Sequence, residues 1–417
     1  MDGRGEEYFS SDGGMSMVIA GIVAEYNPFH NGHEHHIEAT RAALGADTGI
    51  VCCMSGDFVQ RGEAAQWSKF ARAECAVRCG ADLVFELPVQ WALSSAEGFA
   101  RGSVGLLDSL GVVEYLSFGS ECGSVEPLER VAETLLDPKV TAEIRALCSE
   151  TGESYAVVRQ RVLEGRLGAE ARLVETPNNI LAVEYIKAIY DLGSRIRPLT
   201  VQRAGAQHDR PGEGRVRSAS ELRTMTGAGK PVEPYMPRAA HEILERERRQ
   251  GRGPVLMREL EPALLSRLRM LNKSDYAALP DASEGLENRL MAAALEEPTL
   301  DGILAAAKSK RYALARLRRM CMCACTGVRA GMNEGTPPYA RLLAASARGR
   351  GILRLADGRS RVPVITKSAM GRKLPAKARE CFELNAAAHD LFVLGCPAVT
   401  ERRGGGDWRA SPAVTES

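Results

Sequence analysis

The residues best suited to chemistry lie between Glu25 and His36, in the run EYNPFHNGHEHH. Four of the chain's seven histidines fall within residues 30–36. His30-Asn31-Gly32-His33 places two imidazoles three residues apart, so on a helix they share one face. Gly32 between them would let a ligand approach the backbone closely. An apolar run precedes the stretch, which puts it where a first strand gives way to a first helix. A helix N-terminus carries about half a positive charge and unpaired N–H groups, and so favours phosphate. The pattern therefore suits stabilising the charge that builds on a nucleotide phosphate as it is attacked. Two other readings stay open on these residues alone. One is metal binding by some of His30, His33, His35 and His36, since imidazole is a general ligand. The other is a plain solvated helix start. HEHHIE does not supply the His-Glu-x-x-His of a zinc protease.

Cysteine offers less. Cys52 and Cys53 sit in an apolar run and read as core thiols, because a reactive thiol needs an exposed, electropositive setting. CMCAC (Cys321–Cys325) alternates three thiols inside a helical pattern with no histidine nearby, which favours a buried helix face over a metal site. Eleven cysteines in all, an odd number, do not form a secreted disulfide framework.

The elements that must position the histidines follow from periodicity. Met17–Glu25, Gly49–Met54, Asp82–Leu87 and Val113–Phe118 read as buried strands, and Pro198–Arg203 as a further one. Helical patterns lie between them, with Gly80 and Gly111 at expected C-caps, and residues 125–170 read as helical. Strand, helix, strand at this rhythm argues for βαβ units, a Rossmann-like α/β domain with a parallel sheet. In such a sheet ligands bind beyond the carboxyl ends of the strands, beside helix N-termini. At 417 residues two domains are the default. KPVEPYMP marks a boundary near residue 231, giving a loose extension at 1–14, a catalytic domain at 15–230 and a mostly helical region at 231–417. No apolar run approaches the roughly 20 residues of a membrane span and no signal peptide opens the chain, so cytoplasm is the expected compartment.

Charge is unevenly spread. From Lys308 to Arg379 there are 18 Lys and Arg against Glu334 and Asp357, a local +16 in a chain of net +1. This asymmetry points to a polyanion partner, met through its phosphates because Tyr312 and Tyr339 are the only aromatics there.

H-x-G-H after a first strand resembles the signature of the nucleotidylyltransferase superfamily, which shares its fold with class I aminoacyl-tRNA synthetases. That superfamily's second motif, Ser-x-Ser/Thr-x-Ile/Leu-Arg, has a counterpart in Ser218-Ala219-Ser220-Glu221-Leu222-Arg223, where Ser218 and Glu221 also read as a capping box. GIVAEYNPFHNGHEHH, MSGDFVQRGE, GADLVFELP, SFGSE, PNNILAVEYIKAI and VQRAGAQHD fall in the order and spacing of one family. They resemble the bacterial tRNA(Met) cytidine acetate ligases over most of residues 17–225, with PPYARLLAASARGRGIL a weaker extension. The resemblance implies ATP-dependent acetylation of the wobble cytidine of elongator tRNA(Met) to N4-acetylcytidine through acetyl-AMP, with acetate as substrate and Mg2+ accompanying ATP. It implies catalytic roles for His30 and His33. It implies an ATP site on Ile22, Val23, Ala24, Glu25, Tyr26, Asn27, Pro28, Phe29, His30, Asn31, Gly32, His33, Glu34 and His35. Gly119, Asn179 (rather than Asn178), Arg203, Ala204, Ser220 and Arg223 complete that site. Either asparagine could instead be a helix N-cap. Gln60-Arg61-Gly62 follows the second strand on the same sheet edge and has no assigned role. Arg316, Arg318, Arg319, Arg348 and Arg350 are the cations expected to meet tRNA. A small-molecule adenylyltransferase and a non-catalytic RNA-binding protein are the alternatives.

Overall fold

Apolar runs of five to seven residues become the strands of one sheet in a computed structural model that describes residues 17–202, 217–283, 285–309 and 312–415. The strands are β1 (Ile19–Ala24), β2 (Gly49–Ser55), β3 (Phe58–Val59), β4 (Glu63–Ala64), β5 (Leu83–Leu87), β6 (Tyr115–Ser120), β7 (Arg197–Gln202), β8 (Ala340–Ala345), β9 (Val364–Ile365) and β10 (Ala413–Val414). The main sheet runs β10-β8-β5-β2-β1-β6-β7, with β9 beside β8, while β3 and β4 form a small antiparallel hairpin. β1, β2, β5, β6 and β7 pair in parallel; only β8 runs against β5. All five strands expected from the sequence are present. The C-terminal segment, read as mostly helical, also supplies β8, β9 and β10 to the same sheet. Their sequences are short or Ala-rich and carry little strand signal.

Both faces of the sheet are covered, which is why the strands read as continuous apolar runs. Side chains alternate between the faces. Ala20, Ile22, Ile50 and Cys52 pack toward α1 (Asn31–Leu44), α2 (Lys69–Arg78) and the helix Arg238–Arg249. Ile19, Val51, Cys53, Leu83 and Phe85 pack on the other face, toward the helices Ala96–Ser109 and Pro177–Asp191. A third core joins Leu260, Leu264, Leu290 and Leu317 of the C-terminal helices to Phe58 and Val89.

The strand order reverses between β1 and β6. The chain steps from β1 outward to β2 and β5, then returns to β6 on the other side. The crevice beyond the carboxyl ends of these two strands is the switch point where such sheets bind ligands.

Candidate active site

The first motif sits at this crevice. His30 is the N-cap of α1, extended at φ −145°, and its Nδ1 accepts from the Gly32 N–H at 3.0 Å. His33, one turn on, accepts from the His30 N–H through its own Nδ1 at 3.3 Å. Together they form a capping box built from two histidines. The rings stack with centroids 3.8 Å apart. A neutral imidazole accepting at Nδ1 carries its hydrogen on Nε2, so both rings are held as Nε2–H donors at a helix N-terminus. Tyr26 supports them from a left-handed backbone (φ +47°), a sparsely populated conformation for a residue with a side chain. Its ring contacts Phe29 and His33, and its hydroxyl is bonded to Cys52 Sγ at 3.3 Å. The other two histidines diverge: His35 is exposed, and His36 turns inward to Ser117 Oγ at 3.0 Å. Among the described residues no group of three or more His, Cys, Asp or Glu is placed to hold a metal ion.

The second motif comes back to the first. Ser218 Oγ accepts from the Glu221 N–H, and Glu221 accepts from the Ser218 N–H, so the capping box forms. One turn later Arg223 donates to the Asn27 carbonyl at 3.1 Å, and Gln66 donates to the Arg223 carbonyl at 2.9 Å. Arg61, Glu63, Gln66, Ser220, Arg223 and Arg318 line a polar cleft of about 330 Å3. A larger cavity of about 620 Å3 lies away from the motifs against α2, lined by Phe70, Arg246, His389 and Arg403. Arg246 there is committed to Glu74 and Glu247.

Gly119 lies near the end of β6, and Asn179 near the start of the facing helix Pro177–Asp191. The N-cap of that helix is Thr176, not an asparagine. Glu121, just past β6, serves the helix end instead: it accepts from the Asn178 and Asn179 backbone N–H groups, the Asn178 side chain and Thr176 Oγ1. Asn179, 3% exposed, returns the link by accepting from the Glu121 N–H at 2.9 Å. Burial raises the Glu121 carboxyl, but these hydrogen bonds outweigh it and hold it below the usual range. Arg203 and Ala204 lie outside the described residues.

Sequence reasoning missed Arg72. Fully buried on α2, it donates to the carbonyls of Glu25 (2.5 Å), Ser55 (3.1 Å), Gly56 and Trp67 (2.9 Å), tying off the ends of β1 and β2. Nothing local in RAEC announces this; only the sheet brings those carbonyls together. Gln60-Arg61-Gly62 is the turn of the β3–β4 hairpin. Gly62 has φ +74°, and a Cβ there would lie 2.5 Å from the backbone of Arg318 and Arg319, so the turn presses directly on the helix Leu314–Thr326.

The expected cations divide. Arg318 pairs with Glu63 at 2.7 Å beside the cleft, Arg319 reaches Asp281 at 3.8 Å, and Arg316 bonds the Asp281 carbonyl and Ser283. Arg348 contacts the Thr48 carbonyl and Asp82, both at the amino ends of strands, so Arg348 and Arg350 lie on the sheet edge opposite the histidines. Partners for the basic run thus include Glu63, Asp82, Glu86, Asp108 and Asp281, all outside it. Cys52 is buried and its thiol pushed up by that burial to about 12; Cys321, Cys323 and Cys325 are buried on their helix.

An α/β sheet with a histidine-capped first helix at its switch point defines a nucleotidyl transferase, and residues 17–407 match the family model described as HIGH Nucleotidyl Transferase. The chain belongs to this family, and within it to the group of the tRNA(Met) cytidine acetate ligases. The protein of that name from Alkaliphilus metalliredigens is 35% identical, over 95% of this chain and 98% of the relative. The one from Thermotoga maritima is also 35% identical, over 93% and 98%. A crystal structure of Thermotoga maritima TmcAL bound with alpha-thio ATP matches with a TM-score of 0.90 at 34% identity, covering 96% of this chain and all of that one.

Proposed function

We propose that this enzyme activates acetate with ATP as acetyl-AMP, releasing pyrophosphate, and transfers the acetyl group to N4 of the wobble cytidine of elongator tRNA(Met). The observation that carries this is the stacked His30–His33 pair, held as two donors at the N-terminus of α1, in a chain alike end to end to tRNA(Met) cytidine acetate ligases. Acetate is a poor electrophile and the cytosine amine a weak nucleophile. An acyl phosphate anhydride supplies the leaving group, so the protein need not donate a nucleophile of its own. Positioning can lower the barrier by about 7–11 kcal/mol, and the imidazole donors, with Arg223 behind them, stabilise charge on the phosphates. Mg2+ accompanying ATP would supply neutralisation of phosphate charge; among the described residues no group of three or more His, Cys, Asp or Glu is placed to hold it on the protein.

Residues 15–230 carry the chemistry in this reading and residues 231–417 hold tRNA, a division of labour within one sheet. Such a substrate places the enzyme in the cytoplasm. The test is to incubate the protein with ATP, labelled acetate and total tRNA, then look for labelled N4-acetylcytidine by nucleoside mass spectrometry. Adenylate transfer to a small molecule, with no label in tRNA, would replace this reading by a small-molecule adenylyltransferase.

A further inference from the structure

Glu25 is the first residue after β1, on the strand that borders the switch crevice. Its Oε1 accepts from the Gln60 N–H at 2.7 Å and from Ser55 Oγ at 3.4 Å. Its Oε2 takes part in no hydrogen bond or ion pair among the described residues. The residue keeps part of its surface exposed. Several other titratable groups around this crevice are committed. His30 and His33 accept backbone N–H groups at Nδ1 and are therefore donors. Glu121 is consumed in capping, and Glu63 is paired with Arg318. Burial pushes the Tyr185 hydroxyl far up, so it stays protonated.

We infer that Glu25 is the base for acetyl transfer, an inference that rests on the acetyl-AMP reading above. The lone pair of the cytosine N4 amine forms the N–C bond to the acetyl carbonyl carbon. The bond between that carbon and the AMP phosphate oxygen breaks, and AMP leaves with its electron pair. One N4 proton passes to Glu25 Oε2 and from there to water, so the acetylated amide is neutral. The carboxyl is suited to this work. Burial raises it above the usual carboxylate range against the opposing effects of the Gln60 N–H and of Arg72, Arg223 and Arg61. A base whose pKa lies nearer the working pH is the more effective one. The same residue gives the Gln60-Arg61-Gly62 turn its purpose, since the Gln60 N–H fixes which oxygen remains for the proton.

The test separates the two half-reactions. Glu25→Gln keeps an oxygen for the Gln60 N–H and removes the base. In the full-length variant, acetate-dependent exchange of pyrophosphate into ATP reports whatever Glu25 contributes to the nucleotide site, and its loss is expected to be at least about 10-fold smaller than the loss of transfer. Transfer from synthetic acetyl-AMP to tRNA is expected to fall roughly 100- to 10,000-fold. In the parent, transfer rises with pH through the Glu25 titration; that acid limb disappears in Glu25→Gln and returns, at reduced rate, in Glu25→Asp. Transfer unchanged in Glu25→Gln overturns the inference. So does an equal loss of both half-reactions, which would confine Glu25 to a role in nucleotide binding. Parent enzyme that exchanges no pyrophosphate would instead remove the acetyl-AMP reading itself.

Discussion

At the mouth of the β1–β6 crevice, His30 and His33 bond to nearby backbone N–H groups, and their partners lie within three residues. Farther along the same sheet edge, His389 has no such local arrangement: it is buried against Asp57 at 2.8 Å, 332 residues away in sequence. Around that pair, Lys69 contacts Glu86 (2.7 Å) and Asp407 (2.9 Å), and Arg341 contacts Glu86 (3.1 Å) and Asp407 (2.6 Å). All of these side chains are nearly fully buried. The two regions use the same residue types for opposite ends. The crevice histidines are joined to the chain by short-range bonds to backbone N–H groups of their own turn. The seam fastens the C-terminal half to the sheet, and every charge in it is answered by another, because an unanswered buried charge costs several kcal/mol.

Breaking the junction between the two regions should have the largest effect. Arg72 donates to the Glu25 carbonyl on the crevice side and lies close enough to Asp57 of the seam to help hold that carboxylate ionised. Arg72→Met leaves the carbonyls of Glu25, Ser55, Gly56 and Trp67 without their donor. A destabilisation of about 3–5 kcal/mol is expected in urea unfolding, with loss of activity. An unfolding midpoint within error of the parent would show that water replaces the guanidinium.

At the crevice itself the effect should be on rate. His33→Ala is expected to slow acetate-dependent pyrophosphate release by roughly 100- to 1000-fold, or about 2.7–4 kcal/mol. Binding of tRNA and the thermal midpoint should stay near the parent's, because the bonds removed are at an open helix end. Undiminished pyrophosphate release would remove the histidines from the chemistry.

The seam should reveal itself through pH. Burial raises the Asp57 carboxyl, but the His389 contact, with Lys69 and Arg72, outweighs it and leaves it well below the usual range; Asp407 is lowered by Lys69 and Arg341 against the same burial. A carboxyl lowered in the folded state contributes stability above its unfolded value, about 3.9, and loses that contribution as pH falls toward the folded value. Thermal midpoints should therefore hold at and above about pH 5 and drop steeply below about pH 4. Asp57→Asn should lower the plateau and shallow the acid slope, whereas an unaltered slope would assign acid sensitivity elsewhere.

Two smaller effects sharpen the contrast. Gly62→Ala forces a methyl against the backbone of the helix Leu314–Thr326 and should cost about 1–3 kcal/mol of stability. An unchanged stability would mean that the hairpin moves freely on that helix. The smallest effect concerns salt. The triple variant Arg316→Ala, Arg318→Ala, Arg319→Ala should flatten the salt dependence of tRNA affinity, by about 0.7–0.9 in log–log slope for each phosphate that is no longer neutralised. Arg348→Ala with Arg350→Ala, on the opposite sheet edge, should leave that slope alone. The reverse result would place tRNA on the amino-terminal edge, away from the histidines.

What the sequence determined by itself is whatever is encoded within a few residues. Period-two burial places Cys52 and Cys53 on opposite faces of β2. Ser218 and Glu221 cap their helix, and H-x-G-H starts α1 with its rings on one face. These depend on backbone geometry and nearest neighbours, so the residue order carries them. Only the tertiary structure decided the rest. A count along the chain left the Lys308–Arg379 run almost unopposed, yet Arg341 is buried between Glu86 and Asp407, and Arg318 answers Glu63. The Ala-rich strand β8 holds its place because β5 lies beside it, and Asn178 and Asn179, for which a cap is the alternative reading, are tied to Glu121 while Thr176 is the N-cap. An ion pair or a sheet edge needs two segments to meet in space. Strand order, which local pattern does not contain, determines which segments those are.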